Sequence, residues 1–469
     1  MTSKHNPKPP GLFVSVIPLL SMVLLLIVGY GIFRIGAEVL LVIAAFITGL
    51  LARISGYSWD IMQKGIVESI TKALPAMLIV ITVGVLIGSW IVGGTIPMLI
   101  YYGLKLISPR FFLLSACMVC SIISLFTGTS WGTVGTIGIA FIGVAEGLNI
   151  PAAQAAGAII SGAYFGDKLS PFSDTTNLAP IAARSNLFDH IKHMLWTTLP
   201  AWCIGLFIYL LLGLFYHSGE QITLPVELLS TLKKSFTFNI FLLLPPLIVL
   251  YFAVRKLPTI PGMLISSFIA LILGILFQKI NVTSALAALT NGYQSQTGLA
   301  ELDRLLSRGG MMSMMGVTLI AFCAFGFAGI MQSTGMLDRI LTALARFTKT
   351  TGILVASTVM SCISVALMTG SSFLSIIIPG ELFAPLYKEK NLAAKNLSRT
   401  TEDSGTVIVP LIPWSMAAVF MSGTLGVSTL DYLPWTFMNY IGFLFALIYG
   451  FTGLAISPKI REDETQPGS

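Results

Sequence analysis

The stretch Cys-Ser-Ile-Ile-Ser-Leu-Phe-Thr-Gly-Thr-Ser at residues 120–130 recurs as Cys-Ile-Ser-Val-Ala-Leu-Met-Thr-Gly-Ser-Ser at residues 362–372. The two stretches align without a gap at an offset of 242 residues, and Gly94 and Gly335 precede them at an offset of 241. This ordered recurrence predicts a duplicated chain, because one chance match between apolar segments would not be flanked by a second at the same spacing.

The duplication divides the chain into four parts. Each half carries a polar stretch, at 127–177 in the first and at 369–406 in the second. The predicted parts are the N-terminal repeat, the connecting loop, the C-terminal repeat and the polar tail, at residues 1–216, 217–236, 237–456 and 457–469.

Composition indicates a membrane protein. Hydrophobic residues make up 55% of the chain, charged residues only 10%, and the mean hydropathy is +0.87. A soluble protein carries about 25% charged residues. Apolar runs such as 11–33 are long enough to cross the bilayer as helices, and this first run is too long for a signal-peptide core. We predict an all-α polytopic protein with about 11–13 membrane segments, some of them discontinuous.

The net charge of +7 comes from Lys and Arg scattered through connecting loops, which argues against nucleic-acid binding. Arg53, Lys64 and Lys72 mark one loop as cytoplasmic, and Arg255 and Lys256 mark another, which places the N-terminus in the cytoplasm as well. Cys117 and Cys120 lack the second pair or histidine of a zinc site, so helix packing is the favoured interpretation.

The polar stretch Thr-Gly-Thr-Ser-Trp-Gly-Thr-Val-Gly-Thr at 127–136 lies between apolar segments. Such a backbone is tolerated at membrane depth only where it lines a cavity, and its carbonyls and hydroxyls suit a cation such as Na⁺. The second copy offers hydroxyls at Thr369, Ser371, Ser372 and Ser375. The alternative is that these small residues serve close helix packing.

Downstream, Ser-Asp-Thr-Thr-Asn-Leu-Ala-Pro at 173–180 is matched loosely by Glu-Asp-Ser-Gly-Thr-Val-Ile-Val-Pro at 402–410. Asp174 follows Thr127 by 47 residues, whereas Asp403 follows Thr369 by 34. This match pairs Asp174 with Asp403 and predicts that the second copy has lost about one short helix.

Acids within a membrane are usually retained because an ion or a proton neutralises them. We predict Asp174 as the principal exchanging carboxylate. Residues predicted to complete a cation shell around it are Thr129, Ser130, Thr175 and Asn177, with Asp403 and Thr406 contributing from the other repeat. Asp167 and Glu402 are further candidates, and the alternative places them in interfacial loops, paired with Lys168 and Arg399. The four histidines, expected in loops or at span ends, have no metal-ligand spacing.

With these motifs, the sequence resembles the NhaC family of Na⁺/H⁺ antiporters, within the ion-transporter superfamily. Thr-Gly-Thr-Ser-Trp-Gly-Thr-Val-Gly at 127–135 and Phe-Gly-Asp-Lys-Leu-Ser-Pro-Phe-Ser-Asp-Thr-Thr at 165–176 carry the resemblance, which extends from about 11 to 456. It implies inverted repeats with re-entrant hairpins, a homodimer in the plasma membrane, and a transport domain that moves like an elevator against a scaffold. It also implies Na⁺ and H⁺ as coupling ions, with no other cofactor. Phe373 in place of Trp131 puts a second, equal ion site in doubt.

Two other functions stay open. One is Na⁺- and H⁺-coupled transport of a small carboxylate, such as malate or lactate, or of an amino acid, which members of the family also suggest. The other is an intramembrane enzyme with Asp174 and Asp403 as an acid–base dyad. The duplication and the hydroxyl-rich stretches favour a transporter over the enzyme.

Overall fold

The structure is a computed structural model that describes residues 10–33, 35–216, 226–346 and 348–458. Residues 217–225 of the expected connecting loop and 459–469 of the expected tail lie outside these ranges, as do His5 and His217. The described residues form helices joined by short turns and contain no strand, only an isolated bridge between Leu392 and Pro458.

The N-terminal half contains ten α-helices among its described residues. A π-helical turn, Leu26–Ile32, extends the first of them, and another, Val134–Gly138, joins α6 to α7. The helices in chain order are α1 (Leu12–Leu25), α2 (Ala37–Ile54), α3 (Trp59–Val92), α4 (Thr95–Leu106), α5 (Phe112–Thr127), α6 (Ser130–Thr133), α7 (Ile139–Gly147), α8 (Ala152–Leu169), α9 (Asp174–Ala183) and α10 (Leu187–Tyr216).

The C-terminal half continues with thirteen α-helices in the described ranges. They are α11 (Val226–Ser235), α12 (Leu244–Val254), α13 (Thr259–Phe277), α14 (Val282–Asn291), α15 (Ala300–Leu306), α16 (Met315–Ser333), α17 (Met336–Ala345), α18 (Thr351–Thr369), α19 (Ser372–Glu389), α20 (Ala394–Gly405), α21 (Met416–Leu425), α22 (Thr429–Tyr432) and α23 (Phe437–Thr452).

The all-helical membrane fold with broken helices is confirmed. Eight described helices are long and apolar enough to cross a bilayer, and the number rises to eleven if three sharply bent pairs each count as one span. Eleven is the lower end of the predicted range. The bent pairs are Val226–Ser235 with Ile240–Val254, Ala394–Leu411 with Met416–Leu425, and Thr429–Trp435 with Phe437–Thr452.

The backbone corrects the expected loss of a short helix from the second copy. Gly128 and Gly370 both end a helix in the left-handed conformation, with φ of 68° and 62°. Ser173 and Ser415 cap α9 and α21 by accepting a hydrogen bond from the amide three residues later. Each serine follows its glycine by 45 residues, so the spacing between the landmarks is the same in both halves.

The structural counterpart of Asp174 is therefore Met416, and the pairing of Asp174 with Asp403 was wrong. The sequence match aligned acidic and hydroxyl residues by type. The backbone conformation instead aligns a glycine that accepts positive φ and a serine that caps a helix. Asp403 belongs to α20, which precedes the serine and ends sooner than α8 does.

Close helix packing uses glycine. A Cβ on Gly162 of α8 would lie 2.2 Å from the carbonyl oxygen of Cys117 on α5, and one on Gly65 of α3 would lie 2.4 Å from that of Gly329 on α16. Small residues allow backbones to approach in a membrane, where dispersion rather than the hydrophobic effect drives helix association. The packing interpretation of Cys117 agrees with this contact.

We predict that Gly162→Ala destabilises the protein by about 1–3 kcal/mol, because the new methyl group forces α5 and α8 apart. Thermal unfolding in detergent measures the effect. The control is Gly326→Ala on α16, where a Cβ meets nothing within 4 Å and alanine favours the helix. Equal melting temperatures for the two variants would contradict the packing assigned to Gly162.

Candidate functional site

A cavity of about 670 Å³ is lined by residues from both halves of the chain. Its walls include both helix interruptions, which we call the first tip (residues 127–132) and the second tip (residues 369–374). The turn at 172–175 and the C-terminal part of α12 complete the walls, together with residues of α3 and α16. The volume falls within the range of small-molecule binding sites.

The first tip is shaped by a left-handed glycine and a capped helix start. Gly128 ends α5, and Thr129 caps α6, its Oγ1 accepting from the amide of Gly132 at 3.1 Å. The tip also contacts the other repeat, since the ring of Trp131 stacks on Phe420 of α21 at 4.5 Å between centroids. Ser130 then faces α8, where its Oγ donates to Oδ2 of Asp167 at 2.7 Å.

Asp167 is the buried acid that lines this cavity, with 7% of its surface exposed. It lies in the last turn of α8, whose alanines and glycines bring it close to α5. Its backbone carbonyl accepts from Oγ1 of Thr176 at 3.0 Å, which ties α8 to the start of α9. The interfacial alternative for Asp167 therefore does not hold for the structure.

Asp174 lines the same cavity but is exposed, as the first residue of α9. The burial expected of an exchanging acid within the membrane is found at Asp167 instead. Thr175 also lines the cavity, with its Oγ1 3.2 Å from Oγ of Ser173. Asn177 folds back on the turn, donating to the carbonyls of Pro171 and Ser173 at 2.9 and 2.6 Å.

The second tip repeats the backbone of the first. Ser371 caps α19 by accepting from the amide of Leu374 at 3.4 Å, and Thr369 Oγ1 donates to the carbonyl of Val365. Thr369, Ser371 and Ser372 all line the cavity. The tip therefore brings hydroxyls and a helix N-terminus to the site, but no carboxylate.

A second group of acids lies behind the cavity wall on α20. Asp403 is fully buried, and its Oδ1 accepts from Nζ of Lys168 at 2.5 Å and from Oγ1 of Thr197 at 3.1 Å. Lys168 therefore pairs with Asp403 of the other repeat, not with Asp167. Arg399 donates from Nη1 to the carbonyl of Ala455 at 2.9 Å.

Glu402 is also fully buried, and in the described part of the chain neither of its Oε atoms has a hydrogen-bond partner. Lys168 and Asp167 lie within electrostatic range of it. Thr406, one turn further along, lines the cavity, and its hydroxyl is likewise without a partner among the residues described. Thr406 thus stands between Glu402 and the cavity.

The sequence interpretation missed two kinds of residue. Lys72 and Lys256 line the cavity and are exposed, and each was assigned only to a charged loop. His190 and His193 lie in the first two turns of α10, at a span end as expected, but both are buried, with ring nitrogens 2.9 Å from Ser398 Oγ and 3.1 Å from Asn396 Oδ1. Their spacing of three residues places both side chains on one helix face, and this pattern could have indicated from the sequence that they share a buried environment.

Comparison with known proteins agrees with this architecture. The model of the Na⁺/H⁺ antiporter family matches residues 162–454. The chain belongs to this family. An uncharacterised Na⁺/H⁺ antiporter of Haemophilus influenzae is 45% identical over 97% of this chain and 99% of that protein.

Two further relatives are similar over almost their whole length. The Na⁺/H⁺ antiporter NhaC of Alkalihalophilus pseudofirmus is 36% identical over 93% of this chain and 95% of its own. The malate-2H⁺/Na⁺-lactate antiporter of Bacillus subtilis is 37% identical over 95% of each chain. The resemblance to the NhaC family is confirmed, and this family member is an integral membrane transport protein.

We predict that Thr175→Cys reacts rapidly with a membrane-impermeant thiol reagent, because it lines the cavity, whereas Thr198→Cys, fully buried on α10, does not. Both are measured in a background in which the five native cysteines are replaced by alanine. An unreactive Thr175→Cys in folded protein would show that water does not reach this cavity.

Proposed function

We propose that the protein exchanges Na⁺ for H⁺ across the membrane and that Na⁺ binds at the buried end of the cavity. The observation that carries the proposal is Asp167, a buried carboxylate that faces the cavity and is oriented by Ser130 of the first tip. An isolated carboxylate is costly to bury, so a bound cation or a proton stabilises it. Membership of the antiporter family supports the same activity.

The other groups around Asp167 suit a cation that prefers several neutral oxygens. Thr129, Ser130 and Thr175 line the same cavity. The helix α5 ends at Gly128, and the negative end of its dipole adds to the attraction. Asp174 is exposed at the cavity wall, so its negative charge attracts cations into the cavity. The buried Asp167 is the carboxylate that binds them.

For the transport cycle, we propose that the cavity opens toward the cytoplasm. Lys256 and Leu257, in the loop between α12 and α13, line it, and this loop is cytoplasmic by the positive-inside rule. In an elevator-type motion, the tips with α8, α9 and α20 would slide past a scaffold formed by α2, α3, α13 and α16. The inverted orientation of the repeats and a homodimer form part of this proposal.

We predict that Asp167→Asn abolishes Na⁺ uptake driven by a pH gradient in proteoliposomes, because an amide cannot supply the negative charge. Ser130→Ala should raise the KM for Na⁺ about tenfold, since loss of an orienting hydrogen bond weakens metal sites by that order. The control is Asp189→Asn, an exposed acid of α10 outside the cavity. Wild-type uptake by folded Asp167→Asn would refute the assignment.

A second candidate function is Na⁺- and H⁺-coupled exchange of a small carboxylate, as the name of the Bacillus subtilis relative suggests. The size of the cavity favours it, because about 670 Å³ far exceeds the space that a Na⁺ ion requires. Lys72 and Lys256 are available to pair with an anion, and the N-termini of the helical segments after Thr129 and Ser371 favour negative charge.

If a carboxylate is carried, we predict that Lys256→Gln raises its KM about tenfold, the cost of one charge-assisted hydrogen bond, with little change in the KM for Na⁺. The measurement is Na⁺ flux into proteoliposomes with and without malate or lactate. Na⁺ flux that ignores both acids would leave simple Na⁺/H⁺ exchange as the function.

The arrangement does not support the enzyme alternative. Asp403 is engaged by Lys168 and Thr197, whereas Asp174 is exposed at the cavity. The two acids therefore have separate surroundings and do not form a dyad, and the relatives reported above are antiporters.

A further inference from the structure

The helix α20 is polar and yet entirely enclosed. Every residue from Asn396 to Gly405 is buried, including Arg399, Glu402 and Asp403. It packs against α9, α10, α18, α19 and α23. Polar and charged residues at such positions in a membrane protein usually serve transport, because their burial is costly.

Five ionisable groups lie around the contact between Lys168 of α8 and Asp403 of α20. All five are buried, and they are Asp167, Lys168, Arg399, Glu402 and Asp403. With every group ionised, three acids and two bases leave a formal charge of −1. One added cation neutralises this cluster, whereas two would leave it at +1. Buried net charge is unfavourable, so the cluster favours binding of one cation at a time.

The three acids differ in the hydrogen-bond and ion-pair partners of their carboxylates. Asp403 is bound to Lys168 and Thr197, and Asp167 accepts from Ser130 and faces the cavity. Glu402 alone of the three accepts no hydrogen bond at either oxygen within the described ranges, although the hydroxyls of Thr175 and Thr406 lie near it, and it does not line the cavity. A buried carboxyl without donors is more stable with a proton than without one.

From this arrangement, and resting on the proposed Na⁺/H⁺ exchange, we propose that the two coupling ions bind to different carboxylates, Na⁺ to Asp167 and the proton to Glu402. The hydroxyls of Thr175 and Thr406, which line the cavity and lie near Glu402, connect this acid to water in the cavity. Binding of either ion neutralises the cluster and thereby weakens binding of the other. Na⁺ and H⁺ therefore exclude each other through the charge of the cluster and do not compete for the two oxygens of one carboxylate.

The surroundings of Glu402 on each side fit this role. The two cations of the cluster are Lys168, neutralised by Asp403, and Arg399, whose guanidinium lies over the ring of Tyr449 of α23. His190 of α10 faces Ser398 and lies within electrostatic range of Lys168. Further titratable neighbours of the cluster are Cys362 of α18, Tyr387 of α19, Asp174 of α9, Tyr164 of α8 and His193 of α10.

The test is Na⁺ self-exchange in proteoliposomes with the same pH on both sides. In wild type, the KM for Na⁺ should rise as the pH falls, by up to about tenfold per pH unit, because protonation removes one negative charge. In Glu402→Gln, self-exchange should persist with a KM that is raised but independent of pH. Glu402→Asp should restore the pH dependence, and Glu381→Gln, an exposed acid of α19, should behave as wild type.

Two outcomes would overturn the proposal. If the KM of Glu402→Gln still depends on pH as in wild type, the proton binds elsewhere. If folded Glu402→Gln loses self-exchange, Glu402 belongs to the Na⁺ site. Absence of Na⁺ exchange in the wild type itself would instead refute the proposed function.

A measurement on the unaltered protein covers the case in which the variant fails to fold. Dicyclohexylcarbodiimide reacts with protonated carboxyls in apolar surroundings and leaves an acylurea that mass spectrometry locates. We expect the label on Glu402, with less of it at alkaline pH and in the presence of Na⁺. A label that falls on Asp167 and not on Glu402 would contradict the separate sites.

Discussion

The contact between Lys168 and Asp403 joins the two repeats at a depth where neither charge is exposed. Removal of one partner would leave a buried charge without compensation, which costs several kcal/mol in proteins. The pair therefore constrains α8 and α20 to one arrangement. That arrangement places Asp167 toward the cavity and Glu402 behind it, so the geometry of the site depends on an interaction that does not itself touch the cavity.

The two repeats use one backbone design for different purposes. A left-handed glycine, a hydroxyl cap and a later serine cap recur at the same spacing, and they set where helices break. The first repeat adds Asp167 and Asp174, while the second has Met416 in place of Asp174 and contributes its acids from α20. Each repeat thus supplies a part that the other lacks, and neither tip forms the site alone.

Sequence patterns predicted what depends on local chemistry. Glycines and hydroxyls at 127–136 indicated a broken helix because that composition is unfavourable in hydrocarbon. The partner of Lys168, in contrast, lies 235 residues away, and no local pattern identifies it. Asp174 was predicted as the principal acid, but its polar neighbours form a turn and a helix cap that face the cavity. Burial at the site is a property of how helices assemble, not of spacing.

The separation of the cavity from the charge cluster also explains how one architecture accommodates different cargo. In the proposed mechanism, coupling depends on the formal charge of five buried groups, of which only Asp167 also lines the cavity. In the same proposal, the cargo depends on the exposed part of the wall, which includes Lys72, Lys256 and Asp174. A change of cargo then requires substitutions only at this wall, because electrostatic coupling acts through the cluster whichever ligand fills the space above it.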